Sequence, residues 1–388
     1  MADEIDLVLL MGPHNRNFSI AKVAFQTDLN VQGDILLESE ESGQKFPGYA
    51  CRIDPQTLEL FILVEQASKE QEFDFLLNSE CKITDLKLFN YKPVELKKNS
   101  ENRIDVNVNG SHFTSFYFNM SQRPFLMPII GPFGESLTRQ YPLKEISGQT
   151  TDHIHHRSCW TAWGDINGVD NWSEGTEKGF QQVDAVPIIH SGIVLGHIQS
   201  IIRWTDPKKE KTQIQEKRDM FFYNSRNSER MVDFRIELTA NEDITLGDTK
   251  EGGFLAIRVA TPIDVPKGGV ITNGLGGVQE QECWGKRAPW CDYSGYIKGK
   301  AQGITLFDHP NNYNFPTYWH VRDYGLMSAN PLGISEFLGK NYNGSLQLKK
   351  NQSMVFNYRL ITHCDLASEA NIQSRYADYV YSPEIKRF

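Results

Sequence analysis

Apolar and polar residues alternate along much of the chain, which is typical of strands with one buried face. In residues 104–109, Ile and Val alternate with Asp and Asn, and Asn109-Gly110 then gives a strong signal for a hairpin turn. Comparable strand-like runs occupy residues 22–29, 58–64, 193–204, 231–238, 254–259, 303–307, 345–348 and 354–361. Turn residues separate these runs at short intervals, so the pattern predicts a mainly β protein built as a large antiparallel β-sandwich.

Two stretches have the spacing of a helix instead. A C-terminal helix that begins at Ser368-Glu369 would place four apolar or aromatic residues on one face, namely Ile372, Tyr376, Tyr379 and Val380. Residues 332–338 are predicted to form a second, short helix.

A polar, proline-containing segment at 92–103 indicates a boundary within the chain. The residues before it contain one of the ten histidines and none of the seven tryptophans. We therefore predict a small N-terminal β accessory module over residues 1–100 and a sandwich domain that carries the site over 101–388. The alternative is that the first strands are continuous with the main sandwich.

Composition narrows the classes of function. The 388 residues include 40 Lys and Arg against 49 Asp and Glu, and the formal net charge of −9 argues against nucleic-acid binding. No apolar stretch approaches the roughly 20 residues needed to span a bilayer, so no membrane contact is expected. The six cysteines form no Cys-x-x-Cys pair, and the apolar run at 7–11 follows acidic residues rather than a basic segment. These features favour a soluble protein of the cytoplasm and leave its oligomeric state open.

Residues capable of proton transfer and stacking are concentrated in two windows. Six of the seven tryptophans fall at 160–172 and 284–319, and five histidines lie in or beside these windows. A core spreads its aromatic residues along the chain, whereas their clustering with His, Arg and Asp in loops rich in Gly and Asn suits a polar cleft. We therefore expect distant loops to come together in one site.

Just before the first window lie Asp152 and three histidines, His153, His155 and His156. In an extended segment, His153 and His155 would share one face, while His156 would join Asp152 on the other. Two histidines on one face can ligate a metal ion or act as a general acid and base near neutral pH. The alternative for each histidine is a structural role, in a turn or in the core.

Residues 318–324 begin at the end of the second window and continue beyond it. In extended form they place Tyr318, His320, Arg322 and Tyr324 on one face. Arginine can hold carboxylates or hydroxyl groups, and histidine can transfer protons. The alternative is a structural role, in which a buried Arg–Asp network holds two loops together.

The loop at 247–253 lies between the two windows and contains Lys250 and Glu251. It lacks the residue order of a phosphate-binding loop. We interpret it as a sugar-contacting loop or a plain loop.

Several of these motifs, in the same order, resemble the PmoA-like family of bacterial proteins, often labelled methane oxygenase PmoA. They are DHxHHR at 152–157, GDxNG at 164–168, GDTKEG at 247–252, WGKRAxWxDYSG at 284–295 and WHVRDYG at 319–325, within a match over residues 104–381. The resemblance implies a large sandwich of the galactose-mutarotase-like supersandwich type and a role in sugar metabolism. It does not imply a true membrane methane oxygenase, because the chain has no predicted spanning segment.

The leading hypothesis is a carbohydrate-active enzyme that needs no cofactor. Its substrate would be a mono- or disaccharide derivative, keto sugars included, changed by epimerisation, elimination or hydrolysis through histidine acid–base catalysis. The predicted catalytic residues are His153, His155, His309, His320, Arg287, Arg322 and Tyr324. The predicted substrate-binding residues are Arg157, Trp163, Asp165, Asn167, Lys250, Glu251, Trp290, Asp292, Trp319 and His363.

Two alternatives stay open. The first is a metalloenzyme with a divalent ion held by His153, His155 and His309. The second is a carbohydrate-binding protein without turnover.

Overall fold

Two large antiparallel sheets form the body of the protein in the computed structural model, which describes residues 4–83, 92–225 and 229–388. The eight-stranded sheet contains, in spatial order, β22 (Tyr318–Arg322), β23 (Leu326–Asn330), β18 (Gly252–Arg258), β11 (Cys159–Trp163), β10 (Phe125–Leu126), β9 (Ser111–Tyr117), β8 (Arg103–Val108) and β7 (Glu95–Ser100). The nine-stranded sheet contains β12 (Phe180–Val183), β14 (Leu195–Thr205), β15 (Thr212–Tyr223), β16 (Glu229–Ala240), β25 (Ser353–Cys364), β21 (Lys300–Asp308), β20 (Trp290–Ile297) and β19 (Val270–Asn273), with β13 (Ile188–His190) beside β14.

Smaller elements complete the fold. A four-stranded sheet contains β2 (Arg16–Gln26), β5 (Thr57–Ala67), β4 (Lys45–Arg52) and β3 (Gly33–Glu38). A three-stranded sheet contains β26 (Glu384–Arg387), β1 (Glu4–Leu10) and β6 (Glu72–Asn78), and a two-stranded sheet joins β17 (Ile244–Leu246) to β24 (Leu346–Leu348). The helices are α1 (Gln279–Cys283), α2 (Ile334–Leu338) and α3 (Ile372–Val380), with 3₁₀ turns at Thr261–Ile263 and Val265–Lys267.

One apolar core joins the inner faces of the two large sheets. The eight-stranded sheet contributes residues such as Val106 and Ile257, and the nine-stranded sheet contributes residues such as Ile202 and Phe234. In β8 the residues alternate between buried and half-buried positions, as the sequence pattern predicts. The prediction of a mainly β protein with a large antiparallel sandwich is therefore confirmed.

The predicted hairpin turn joins β8 to β9. Both Asn109 and Gly110 have positive φ, at 51° and 75°, as the common two-residue hairpin turn requires. The predicted C-terminal helix is α3, in which Ile372 and Tyr376 are buried against the nine-stranded sheet. The helix begins four residues later than the sequence signals suggest.

The N-terminal strands have a core of their own, which includes Leu7, Leu9 and Phe46 and also takes in Ile385 of β26. A separate apolar cluster joins this N-terminal part to the outer face of the nine-stranded sheet and to α3. The strand Glu95–Ser100, which we had assigned to the N-terminal module, pairs with β8 in the eight-stranded sheet.

Among the described residues, no helix has both the length and the apolar character that crossing a bilayer demands.

The turn at Asn109-Gly110 provides a test of the hairpin. Gly110→Ala should lower the free energy of unfolding by about 1–2 kcal/mol, because a residue with a Cβ is disfavoured at positive φ. Urea unfolding of wild type and Gly110→Ala measures this loss of stability. Ser111→Ala, at the exposed next position, is the control. Equal stability of the two variants would show that the turn does not require this backbone conformation.

Candidate functional site

Two buried arginines anchor the loop at residues 152–157 to the outer face of the eight-stranded sheet. The side chains of Arg139 and Arg258 are both 0% exposed. Arg258 Nη2 donates to Asp152 Oδ1 at 2.8 Å and to Oδ2 at 3.1 Å, and Arg139 Nη1 also donates to this carboxylate. Burial opposes ionisation of Asp152, but the charge and hydrogen bonds of Arg258, with contributions from Arg139 and His153, lower its pKa overall. The carboxylate therefore stays charged and holds both guanidinium groups.

The loop forms a turn, so the shared face that an extended segment would give His153 and His155 is absent. The His156 N–H donates to the His153 carbonyl at 3.0 Å, and His153 has a φ of 43°. Arg139 Nη2 donates to the same His153 carbonyl at 2.9 Å, which holds the bend in place. His153 and His155 consequently do not share a strand face, and their rings meet edge to face at 5.8 Å.

Four rings form a continuous stack on this side of the sheet, and we call them the ring stack. It runs from Tyr324 to His153 (5.1 Å between ring centroids), to His156 (4.7 Å) and to Trp160 (5.3 Å), with interplanar angles of 22° or less. Trp172 packs against His156 and Trp160 at tilted or edge angles. Trp160 is 1% exposed, whereas the His153 side chain is 40% exposed. The stack therefore has a buried base and an open end.

His155 and His156 are neutral at ordinary pH. Burial, with the nearby charges of Arg123 and His153, lowers the pKa of His155 to about 4. Burial also lowers the pKa of His156 well below its usual value. His155 is half-buried, so it combines a basic lone pair with access to solvent.

His320 lies on the same outer face but further along the sheet. The strand register aligns it, through Ser328 and Ala256, with Trp160, three strands away and so roughly 14 Å distant. Its Nδ1 accepts a hydrogen bond from Trp284 Nε1 at 3.0 Å. Burial, with the charges of Arg322 and Lys250, lowers the pKa of His320 to about 3. The ring is therefore neutral, with its proton on Nε2.

Charged groups from three loops act on one another around the open end of the stack. Burial raises the pKa of Glu251, and the charges of Lys250, Asp170, His153 and Arg322 also act on it. Lys250 Nζ lies 3.9 Å from Glu251 Oε1.

Charged residues of the same loops also affect the pKa of Tyr324. Burial raises the pKa of Tyr324 to about 12; the charges of Arg322 and Arg258 oppose this rise, and that of Glu251 adds to it. We call the linked set the histidine face: His153, His155, Lys250, Glu251, His320, Arg322 and Tyr324. The sequence prediction named all seven of these residues.

Arg157 is held at the edge of this face. Its Nε and Nη2 donate to the two carboxylate oxygens of Glu174 at 2.6 and 2.7 Å. Its guanidinium group also lies 5.5 Å from the ring centroid of Phe125. Arg157 is thus committed to a structural pair, unlike the substrate contact that we expected.

The prediction that Trp163, Trp290 and Trp319 bind substrate is wrong. Trp163 and Trp319 are fully buried in the sandwich core, where Trp163 stacks on Phe254 at 5.1 Å. Trp290 belongs to the nine-stranded sheet and donates from Nε1 to Gln373 at 3.1 Å. None of the three presents a ring on the histidine face.

Three further predicted residues lie on the nine-stranded sheet, away from the histidine face. His363 Nε2 and Asp292 Oδ2 form a fully buried pair at 2.7 Å. His309 contacts Tyr379, with ring centroids 5.2 Å apart. These residues do not contribute to one site with His153 and His155, because the sandwich core separates the two faces.

Arg287, Asp165 and Asn167 form loop contacts instead of a site. Arg287 donates to backbone carbonyls of residues 314–316. Asn167 bonds backbone groups of Asp243 and Thr245, and Asp165 accepts from the Gly168 N–H at 2.8 Å.

The metal alternative required His309 beside His153 and His155, and the fold places it on the other sheet. Within residues 4–83, 92–225 and 229–388, no group of three or more His, Cys, Asp or Glu side chains could hold a metal ion.

The two arginines that hold the loop at residues 152–157 are not among the residues predicted from the sequence. Arg139 and Arg258 were not singled out, although Arg258 is a charged residue that ends the otherwise apolar run 252–258. Trp172 and Trp284 lie within the two tryptophan-rich windows, and the sequence predicts no role for either of them.

The fold and site define a β-sandwich protein with a polar, histidine-bearing outer face. The chain belongs to a family of unknown function, DUF6807, whose model matches residues 103–377.

Among solved structures, the chain is similar to a galactose mutarotase related enzyme from Lactobacillus acidophilus. The identity is 8%, the alignment covers 71% of this chain and 99% of that one, and the TM-score is 0.31. A similarity at this level carries no argument about activity. A search of curated proteins found no match.

Asp152 provides a test of the loop anchor. Asp152→Asn should lower the free energy of unfolding at pH 7 by about 2–4 kcal/mol, because two buried guanidinium groups lose their counter-charge. Because folding lowers the pKa of Asp152, its contribution is present above the ordinary aspartate pKa of about 3.9 and is lost as pH falls through the lower folded value. The difference from wild type should therefore shrink in acid.

Urea unfolding from pH 3 to 7 measures this difference. Asp243→Asn, at a solvent-exposed pair with Lys349, is the matched control and should change stability little. A stable Asp152→Asn protein at pH 7 would show that the loop is held by other contacts.

Proposed function

We propose that the protein is an enzyme that acts on a small carbohydrate and transfers protons through the histidine face. The observation that carries the proposal is the coexistence of the half-buried His155, whose pKa is about 4, and Glu251, whose pKa burial raises, in one electrostatically linked cluster. Paired groups whose surroundings move their pKa values away from the ordinary ones are what acid–base catalysis requires.

The proposed reaction is epimerisation of a keto sugar. His155, neutral above pH 4, would accept the proton from the carbon next to the carbonyl, and the bonding electron pair would move onto the carbonyl oxygen. Arg322 and Lys250 would stabilise the resulting oxyanion. Glu251 would return a proton to the opposite face of the carbon, which inverts its configuration.

Sugar binding would depend on the aromatic groups at the two ends of the face. Tyr324, at the open end of the ring stack, keeps its hydroxyl proton because its pKa is about 12. Trp284 is half-buried beside His320 and offers a second ring. Rings of this kind pack on the apolar side of a pyranose, while charged and amide groups bind its hydroxyls.

His320 takes a different role from the proton carrier suggested by the sequence. A pKa of about 3 keeps it neutral throughout the working range, and the bond from Trp284 leaves the proton on Nε2. We infer that it donates a hydrogen bond to substrate and does not exchange protons.

Proton transfer can be tested directly with deuterium. Keto sugars incubated with the protein in D₂O should gain deuterium at the carbon next to the carbonyl, as followed by proton NMR. His155→Ala and Glu251→Gln should each slow this exchange by about 10²–10⁴-fold, the usual contribution of a positioned acid or base. His112→Ala, at an exposed histidine elsewhere, is the control and should keep wild-type activity.

The same experiment separates the alternatives. Loss of water from the sugar would indicate elimination, and bond cleavage in a disaccharide would indicate hydrolysis. Saturable binding without any exchange, loss or cleavage would favour a carbohydrate-binding protein. Full activity of both variants would exclude His155 and Glu251 as the proton carriers.

The pH dependence gives a second test. A base must be unprotonated and an acid protonated to act, so kcat/KM should fall as pH decreases through the His155 pKa of about 4 and should also fall as pH rises above the raised pKa of Glu251. An acid limb near pH 6.5, the ordinary histidine value, would contradict the proposed environment of His155.

A further inference from the structure

A polar cavity lies on the opposite side of the sandwich core from the histidine face. It has a volume of about 370 Å³ and is enclosed by β2 and β5 of the N-terminal part, by the outer face of the nine-stranded sheet and by α3. Its lining includes His309, a predicted catalytic residue that has no part in the proposed reaction at the histidine face. Cavities of this size between structural units are common places for small ligands.

Both carboxylates that line the cavity are already paired. Arg359 Nε and Nη2 donate to Asp233 at 2.6 and 2.8 Å, and the Tyr223 hydroxyl donates to the same carboxylate at 2.9 Å. Lys22 Nζ lies 2.9 Å from Glu59 Oε1. The acidic groups of the cavity therefore leave little negative charge for a ligand to meet.

Three side chains of the lining can donate hydrogen bonds to a ligand. Within the part of the chain that the structure describes, the Arg235 guanidinium and the Asn357 side-chain amide have no hydrogen-bond or ion-pair partner. His309 Nδ1 accepts from the Asn311 N–H at 3.1 Å, which leaves the proton of a neutral ring on Nε2. Arg235 supplies up to five N–H donors in a planar fork that matches a carboxylate.

The charges of the residues that line the cavity also favour a negatively charged ligand. Lys22, Arg235 and Arg359 carry three positive charges against the two negative charges of Glu59 and Asp233. A local excess of positive charge stands out in a chain whose net charge is −9. It favours an anion over a neutral or cationic ligand.

We propose that this cavity binds a small hydroxylated carboxylate of the sugar-acid class. Arg235 holds its carboxylate, and Asn357 and His309 donate to hydroxyl oxygens. The paired oxygens of Asp233 and Glu59 can in turn accept bonds from hydroxyl protons. The site is independent of the histidine face, because the sandwich core lies between them.

Isothermal titration with gluconate and galacturonate tests the proposal, with glucose, galactose and inorganic phosphate as comparison ligands. At least one acid should bind saturably, and the uncharged sugars and phosphate should bind at least tenfold more weakly. Arg235→Gln should weaken binding of the acid by at least about tenfold, as expected for loss of a bidentate charged contact. Arg203→Gln, at a partly exposed pair with Asp184, is the matched control and should bind as wild type does.

Asn357→Ala gives a second variant in case Arg235→Gln does not fold, and it should weaken binding several-fold. Absence of saturable binding by either acid, equal binding of the uncharged sugars or of phosphate, or unchanged binding in the cavity variants would overturn the proposal. Glu251→Gln should bind the acid normally, so failure here is distinguishable from failure of the proposed enzyme activity.

Discussion

The geometry of the histidine face depends on one carboxylate. Asp152 lies between two guanidinium groups that are themselves fully buried, and neither arginine could remain there without a counter-charge. The same contacts bend the loop, so that His153 turns onto His156 and the ring stack can form. The ion pairs of Asp152 thus determine where the rings of the stack lie.

The two large sheets share one apolar core and differ in what covers their outer faces. Loops and the ring stack cover the eight-stranded sheet, whereas the N-terminal strands and α3 cover the nine-stranded sheet. Each outer face therefore has its own polar environment. The two proposed sites therefore lie on opposite outer faces of one sandwich and do not contact each other.

Local patterns predicted much of the fold. The alternation at 104–109 and the Asn109-Gly110 turn depend on residues close in sequence, and the structure has the predicted strand and hairpin there. The spacing of Ile372 and Tyr376 likewise gave the C-terminal helix. The pairing of the strand Glu95–Ser100 could not be predicted in this way, because a strand's partner is chosen by contacts that its own pattern does not contain.

The clustering of chemically capable residues in the sequence led to the prediction of all seven residues of the histidine face, and their role in binding or catalysis stays a prediction. The clustering could not say which side chains of a strand point into the core. Trp160 and Trp163 are three positions apart in β11, so they point to opposite sides of the sheet, and only Trp160 reaches the ring stack. The clamp of Arg139 and Arg258 on Asp152 could not be predicted, because Arg258 is 106 residues from Asp152 in the sequence and no local pattern links Asp152 to Arg139, 13 residues before it.

The pairing of β26 with β1 has a consequence for biosynthesis. Residues 384–387 are translated long after residues 4–10, yet they supply a neighbouring strand of the same small sheet. While the nascent chain is on the ribosome, one edge of β1 therefore stays unpaired and open to association with other strands. The usual order, in which amino-terminal units finish folding first during synthesis, cannot apply to this sheet.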